Sequence, residues 1–394
     1  MKKLVSFCLV LVIASSLFAI GFGYHVLDIR TEPEFAKGIF PSSLLYQFNF
    51  PMPDFISGNS TLFTFRLDNG LVYRTLNQDP DTGKLYSQYP ELLAEFSSDK
   101  ARDYSVHFDE FNLLFRQGFL KTPLSDNDML SVSLSFGGRF ERAYERLFFM
   151  YDSSNTEGAF QKSLGVDRFP SSSWTAYPEL SGDRSSVHTF YSIALDLDFM
   201  RDNITRKDGL KLTSYFRSYI PFISMLDDKK VDFKILWNRL SAAKTLFAVN
   251  ERKNSSLTSF SAVIGTDLTY RYIWGDKVPY YLENDCSLFG VSALPTRHLI
   301  IDRTYINIYG PQIHNKDFYP FISLFHDVAF SIGNVINNTN SDSINEWVAS
   351  AGFRAELVIY NYCRLFYEIG YVYKNPFSDS ENATEARFGF SVGV

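Results

Sequence analysis

Only three of the 394 residues are cysteine and six are methionine, and past Phe22 no apolar run approaches membrane-spanning length. A helix that crosses a bilayer needs about 20 consecutive apolar residues, so a helical membrane protein is excluded. Cys8 follows Val5-Ser6-Phe7 too early to serve as a lipoprotein cysteine, which leaves Cys286 and Cys363. A disulfide scaffold uses many more, and whether these two pair is left open. Basic residues are also in deficit, 38 Lys and Arg against 44 Asp and Glu. That balance argues against nucleic-acid binding, which needs a basic face. No Pro/Gly/Ser-rich linker divides the chain, and no repeat of fixed period is evident.

The first residues, MKKLVSFCLVLVIASSLFAIGFG, read as a secretory signal peptide over 1–21, with its end between 19 and 23. Lys2 and Lys3 precede an apolar run, and small residues follow. The expectation is an exported chain whose residues 24–394 form one domain. Loss of Lys2 and Lys3 leaves 36 basic against 44 acidic residues.

Aromatic residues are abundant at 17%, with 38 Phe and 24 Tyr, while mean hydropathy is only −0.11. Strands favour aromatics, and a membrane barrel hides its apolar band by alternation. Period-two segments recur throughout. Phe63, Phe65 and Leu67 share a face, as do Val132, Leu134 and Phe136 against Ser131, Ser133 and Ser135. Ile193, Leu195 and Leu197 oppose Asp196 and Asp198, and Phe233, Ile235 and Trp237 oppose Asp232 and Lys234. From Phe260 to Trp274, Ile264, Leu268, Tyr270 and Tyr272 oppose Asp267, Thr269 and Arg271.

Several of these runs reach the 9–11 residues that a membrane-crossing strand requires. Mid-strand Asp196, Asp198, Asp267, Arg271, Arg354, Glu356 and Glu368 suit a hydrated lumen. Tyr371, Tyr373, Trp274 and Trp347 suit interfacial girdles. Turn signals of uneven length fall between the runs, at 79–83, 125–128, 202–209, 337–343 and 375–383. The fold expected is all-β, one antiparallel transmembrane barrel of roughly 12–16 strands with some helix in its loops. The final strand EARFGFSVGV would face lipid through Ala386, Phe388, Phe390, Val392 and Val394 and close the sheet by pairing with the first strand. Residues 89–103 and 239–254, the latter with Leu240, Ala243 and Phe247 at helical spacing, read as helical. The segment 141–169 is mixed.

The last third resembles the barrel of the bacterial surface antigen family, which includes outer-membrane assembly factors and two-partner-secretion translocators. Residues 319–334 resemble its Phe-x-Asp strand, with Asp327 in the acidic position. Residues 347–357 resemble its Ser-x-Gly-x-Gly-x-Arg strand through Ser350, Gly352 and Arg354, and 364–377 and 386–394 match its last two strands in order. Residues 195–212 resemble its strand-turn-strand motif through Asp198, Arg201, Asn203, Gly209 and Leu212. Members with a lumenal loop carry Arg-Gly-Phe/Tyr there. The nearest match is LPTRHL, where Arg297 is the candidate lumenal loop anchor and His298 replaces Gly. The stretch 24–62 is too short for a polypeptide-transport-associated domain, so the resemblance implies a barrel-only member, with insertase activity in doubt.

Catalytic signatures are sparse. The six histidines have no metal-ligand spacing. His107 and Asp109, two apart on a strand, would share one side as a protease dyad, whereas His326 and Asp327 point to opposite faces. Ser292 lacks the second glycine of a nucleophile elbow. The reading therefore assigns no catalytic, cofactor-binding or metal-binding residue, and no enzyme activity. Three functions stand: a surface-antigen-type barrel in transport or envelope biogenesis, a diffusion porin of mild cation preference, and an outer-membrane hydrolase. The partners expected are the lipid bilayer and the outer-membrane assembly machinery, with small solutes or an exported polypeptide as cargo and no nucleic acid.

Overall fold

A computed structural model of the chain describes residues 24–31, 41–53, 55–56, 58–75, 103–121, 128–144, 185–203, 206–220, 232–251, 258–276, 278–283, 288–289, 294, 296–311, 318–332, 347–359, 363–375 and 383–393. The signal-peptide expectation, all but the last residue of the helix expected at 89–103, and residues 145–169 of the mixed segment 141–169 lie outside them. The strands are β1 Tyr24–Thr31, β2 Ser42–Met52, β3 Thr61–Thr75, β4 Asp103–Lys121, β5 Asp128–Tyr144, β6 Ser185–Asp198, β7 Arg201–Asn203, β8 Arg206–Ile220, β9 Asp232–Glu251, β10 Thr258–Asp276, β11 His298–Tyr309, β12 Phe318–Ile332, β13 Trp347–Ile359, β14 Cys363–Lys374 and β15 Ala383–Gly393. One helical turn, α1, spans Tyr280–Glu283.

Every strand pairs antiparallel with its neighbour in sequence, β6 pairs with β8, and β1 pairs with β15. Fourteen strands thus close into a barrel, and β7 only prolongs the β6–β8 hairpin. Closure leaves no raw sheet edge for hydrocarbon to meet. The segments at 32–41, 76–102, 145–184, 221–231, 277–297, 333–346 and 375–382 leave one end of the barrel. Those at 53–60, 122–127, 199–205, 252–257, 310–317 and 360–362 leave the other. Long loops mark the outer end and short turns the periplasmic end, so both described termini lie on the periplasmic side.

Alternation assigns the two faces. Phe111, Leu113, Leu134, Phe136, Tyr191, Ile193, Leu268, Leu324, Phe353, Tyr367, Phe388 and Phe390 are exposed on the outer wall, and their strand neighbours point inward. β9 reverses the rule at its outer end. Phe233, Ile235 and Trp237 stand opposite the inward-facing Gly275, Ile273 and Arg271, so the apolar side of this strand faces the lumen. A loop described below covers it there.

Residues 239–251 of the expected helix at 239–254 are instead the rest of β9, and 252–254 lie outside the described residues. Val263 pairs with Thr245 and Ala262 with Phe247, which leaves Leu246 as an extra residue. Such a bulge switches the parity that faces outward. Leu240 before it and Phe247 and Val249 after it therefore share the outer wall and imitate a helical period. At the periplasmic end, Gly209 (φ 131°) bends β8, and a Cβ there would lie 2.3 Å from the Phe199 carbonyl oxygen. The bend brings Met200 against Ala243, Val263, Tyr309, Tyr319 and Val358.

Candidate functional site

Of the segment 277–297 between β10 and β11, the described residues 278–283, 288–289, 294 and 296–297 lie inside the barrel. The segment's root is pinned by backbone and guanidinium contacts. The Ile273 N–H donates to the Arg297 carbonyl at 2.9 Å, and Arg297 Nη1 donates to the Gly275 carbonyl at 3.1 Å. Arg271 Nη2 donates to the Thr296 carbonyl at 3.2 Å. Gly275 (φ 120°) makes this closeness feasible, since a Cβ there would lie 2.3 Å from the Asp232 carbonyl oxygen. Arg297 thus ties the loop to the strand it leaves.

Beyond the root, apolar side chains seat the loop on two neighbouring stretches of the inner wall. Val278 and Leu282 pack with Phe190, Tyr219, Phe233, Ile235 and Ile273 of β6, β8, β9 and β10. Leu288 and Leu294 pack with Leu299, Ala329, Val348 and Val372 of β11–β14. Burial of each such side chain stabilises the arrangement by about 1.5–3 kcal/mol. This is why β9 turns an apolar side inward.

Polar anchoring comes from a charge network on the first of these stretches. Tyr281 of α1 donates its hydroxyl to the Glu141 carboxylate of β5. The same carboxylate meets His188 Nε2 of β6 at 2.9 Å and Arg139 Nε at 3.0 Å. Arg139 Nη1 continues to Glu110 of β4 at 3.2 Å, and Arg217 of β8 grips Glu110 with both nitrogens at 2.9 and 3.0 Å. Arg139 lies 3.8 Å over the Phe108 ring and Arg217 lies 3.9 Å over Phe190. Two guanidiniums and two carboxylates alternate, so the buried charges balance. With Glu141 1% and His188 2% exposed, solvent screening is minimal and each contact is strong. Gly137 makes room, because a Cβ there would sit 2.6 Å from the Phe190 ring.

On the second stretch, Phe289 of the loop packs 5.5 Å from Phe325, with Arg387 of β15 at 4.8 Å over its ring. Its edge rests on Gly370, where a Cβ would come within 2.6 Å. Around it, Arg303 holds Asp327 through contacts of 2.8 and 2.5 Å, Arg354 holds Glu356 at 2.8 Å, and Glu368 stands level with Arg354 and Arg387.

The other residues singled out from sequence are distributed as follows. Asp196 accepts from Thr213 at 2.7 Å, Asp198 pairs with Lys211 at 2.8 Å, and Asp267 pairs with Arg239 at 2.9 Å, all on the inner wall with Arg271, Arg354, Glu356 and Glu368. Phe388, Phe390 and Val392 share the outer face. His107 and Asp109 also lie on the outer wall, 3.9 Å apart, with Asn69 Nδ2 2.9 Å from the imidazole and 2.5 Å from the carboxylate. They face away from the lumen. Tyr371, Tyr373 and Trp347 are exposed on the outer wall toward the long-loop end. Ser292 and Cys286 lie outside the described residues, and Cys363 is a free thiol.

Sequence reasoning missed Glu110, Arg139, Glu141, His188, Arg217 and Tyr281 as a group. They come from four strands and a loop, and only Arg139-x-Glu141 is local.

Alternating apolar outer and charged inner walls around a closed ring make this chain an outer-membrane β-barrel. No protein-family profile and no curated protein matches it. Solved structures similar to it include the BamA of Haemophilus ducreyi lacking POTRA domains 1–3, at 11% identity and a TM-score of 0.49, covering 95% of this chain and 70% of that one. CdiB from Escherichia coli is similar at 7% identity and a TM-score of 0.49, covering 94% of this chain and 63% of that one. A bacterial polysaccharide outer-membrane secretin is similar at 8% identity and a TM-score of 0.39, covering 94% of this chain and 97% of that one.

Proposed function

We propose that this protein is a non-enzymatic outer-membrane transport or envelope-biogenesis barrel whose resting lumen is occupied by its own loop. The observation that carries the reading is the segment 277–297, held against β5 by Tyr281 and against β14 by Gly370. A diffusion porin instead relies on an open lumen ringed by uncommitted charges. Here Asp196, Asp198 and Asp267 each already accept from Thr213, Lys211 or Arg239. Regulated passage suits the architecture, since a loop fixed at its root by Arg297 can leave the lumen without leaving the protein.

Conductance of the refolded mature barrel in a planar bilayer tests this. The wild type should show small, brief openings, and deletion of residues 278–296 should convert them into a large, steady current. A wild type that already conducts a large, steady, cation-preferring current would instead be a porin.

A further inference from the structure

The lipid-facing wall of β10–β14 carries a polar stripe set among apolar side chains. On β11 the outward Asp302 accepts a hydrogen bond from Thr266 of β10 at 2.6 Å and one from Thr304 at 3.4 Å. Thr304 stands directly opposite His326 of β12. His326 is hydrogen-bonded to the Tyr373 hydroxyl of β14 at 2.6 Å, their rings 6.0 Å apart and nearly parallel. Ala349 and Ala351 on the intervening β13 are small enough for that reach.

This stripe is not the interfacial rim. Exposed Ile264 and Leu268 flank Thr266 along β10, and exposed Leu324 and Phe330 flank His326 along β12. A carboxylate and an exposed imidazole therefore sit within the band that meets hydrocarbon. Ionisable groups there are costly and are kept where a partner satisfies them. Two hydroxyls use only part of the acceptor capacity of Asp302.

We propose that two copies of the barrel associate in the membrane through this face, Asp302 of each copy meeting His326 of the partner subunit. The two groups lie on adjacent strands, so a two-fold contact places acid against imidazole twice, the self-complementary pattern of an isologous dimer. A second copy supplies both halves of the match, and the alanine floor on β13 lets the walls approach closely. The pairing is independent of whether the lumen conducts.

The test counts photobleaching steps of an end-labelled barrel reconstituted in liposomes at high lipid-to-protein ratio. Gel mobility before and after heating confirms that each variant is folded. The wild type should give mostly two-step traces. Asp302→His and His326→Asp should each give single steps, because acid meets acid or imidazole meets imidazole. An equal mixture of those two variants should recover two-step traces, since every contact is then complementary again. Asp302→Asn, which retains oxygen and nitrogen at the same positions, should also weaken pairing at least tenfold. A monomeric wild type, single variants that pair as the wild type does, or a mixture that stays monomeric would each overturn the proposal.

Discussion

The Tyr281 hydroxyl reaches a carboxylate that already accepts from Arg139 and His188. Removing that hydroxyl and removing the carboxylate should therefore differ in kind. Tyr281→Phe loses one hydrogen bond to a charged group, about 1.5–3 kcal/mol. The loop should spend longer away from β5, seen as longer openings in the bilayer, with the barrel's urea midpoint little changed. Glu141→Ala leaves the buried Arg139 with only Glu110 and should destabilise the barrel itself by about 3–5 kcal/mol, measured as a lower urea midpoint. Glu141→Ala also takes away the acceptor of Tyr281, so the separation is denied if Tyr281→Phe lowers the urea midpoint as far as Glu141→Ala does. On the other stretch of wall, Gly370→Val drives a side chain into the Phe289 ring and should cost about 1–3 kcal/mol. Ile369→Val, on the outer face one residue earlier, should cost less than half as much. None of these residues was singled out from the sequence. Apart from Arg139 and Glu141, two residues apart, the bonded partners of the network lie between 29 and 140 residues apart and leave no local pattern.

At the scale of strands, alternation announced β3, β5, β6, the start of β9, β10, β13, β14 and β15, because period two on a half-buried surface has no other explanation at these lengths, whereas β1, β2 and β11 went unread. It did not tell which face was which. Phe233, Ile235 and Trp237 look lipid-facing until a loop is known to lie against them, and only the resemblance at Arg297 hinted at where that loop goes. The bulge at Leu246 was equally silent, since one inserted residue turns a strand's pattern into an apparent helix. Strand pairing also varies in extent. β9 and β10 share nineteen register positions, whereas β1 and β15 share four, Asp28–Gly393 through Thr31–Phe390. Local opening follows the number of hydrogen bonds that must break together. Hydrogen exchange in a nanodisc should thus be fastest at residues 28–31 and 390–393 among strand amides, and slowest near Asp267. Equal protection at the two ladders would remove the distinction.

For the molecule as a whole, closure, the even strand count and the long-loop end all followed from run lengths and turn signals. The occupied lumen did not follow from these signals, because a loop that enters a barrel has the composition of one that leaves it; the family resemblance alone, through Arg297, pointed to a lumenal loop. The seam between β1 and β15 has a further consequence for how the barrel comes into being. Its partners, Asp28 and Gly393, lie at opposite ends of the described chain. Every other ladder but β6–β8 joins strands consecutive in sequence and can zip as the chain emerges. The ring alone must wait for the last residues, and the cost of joining ends rises with the length between them. Until then the molecule is a curved sheet with two bare margins, one along β1 and one along β15. The passage from ribbon to ring is therefore a single late event, and the residues that decide its timing are the final four strand positions.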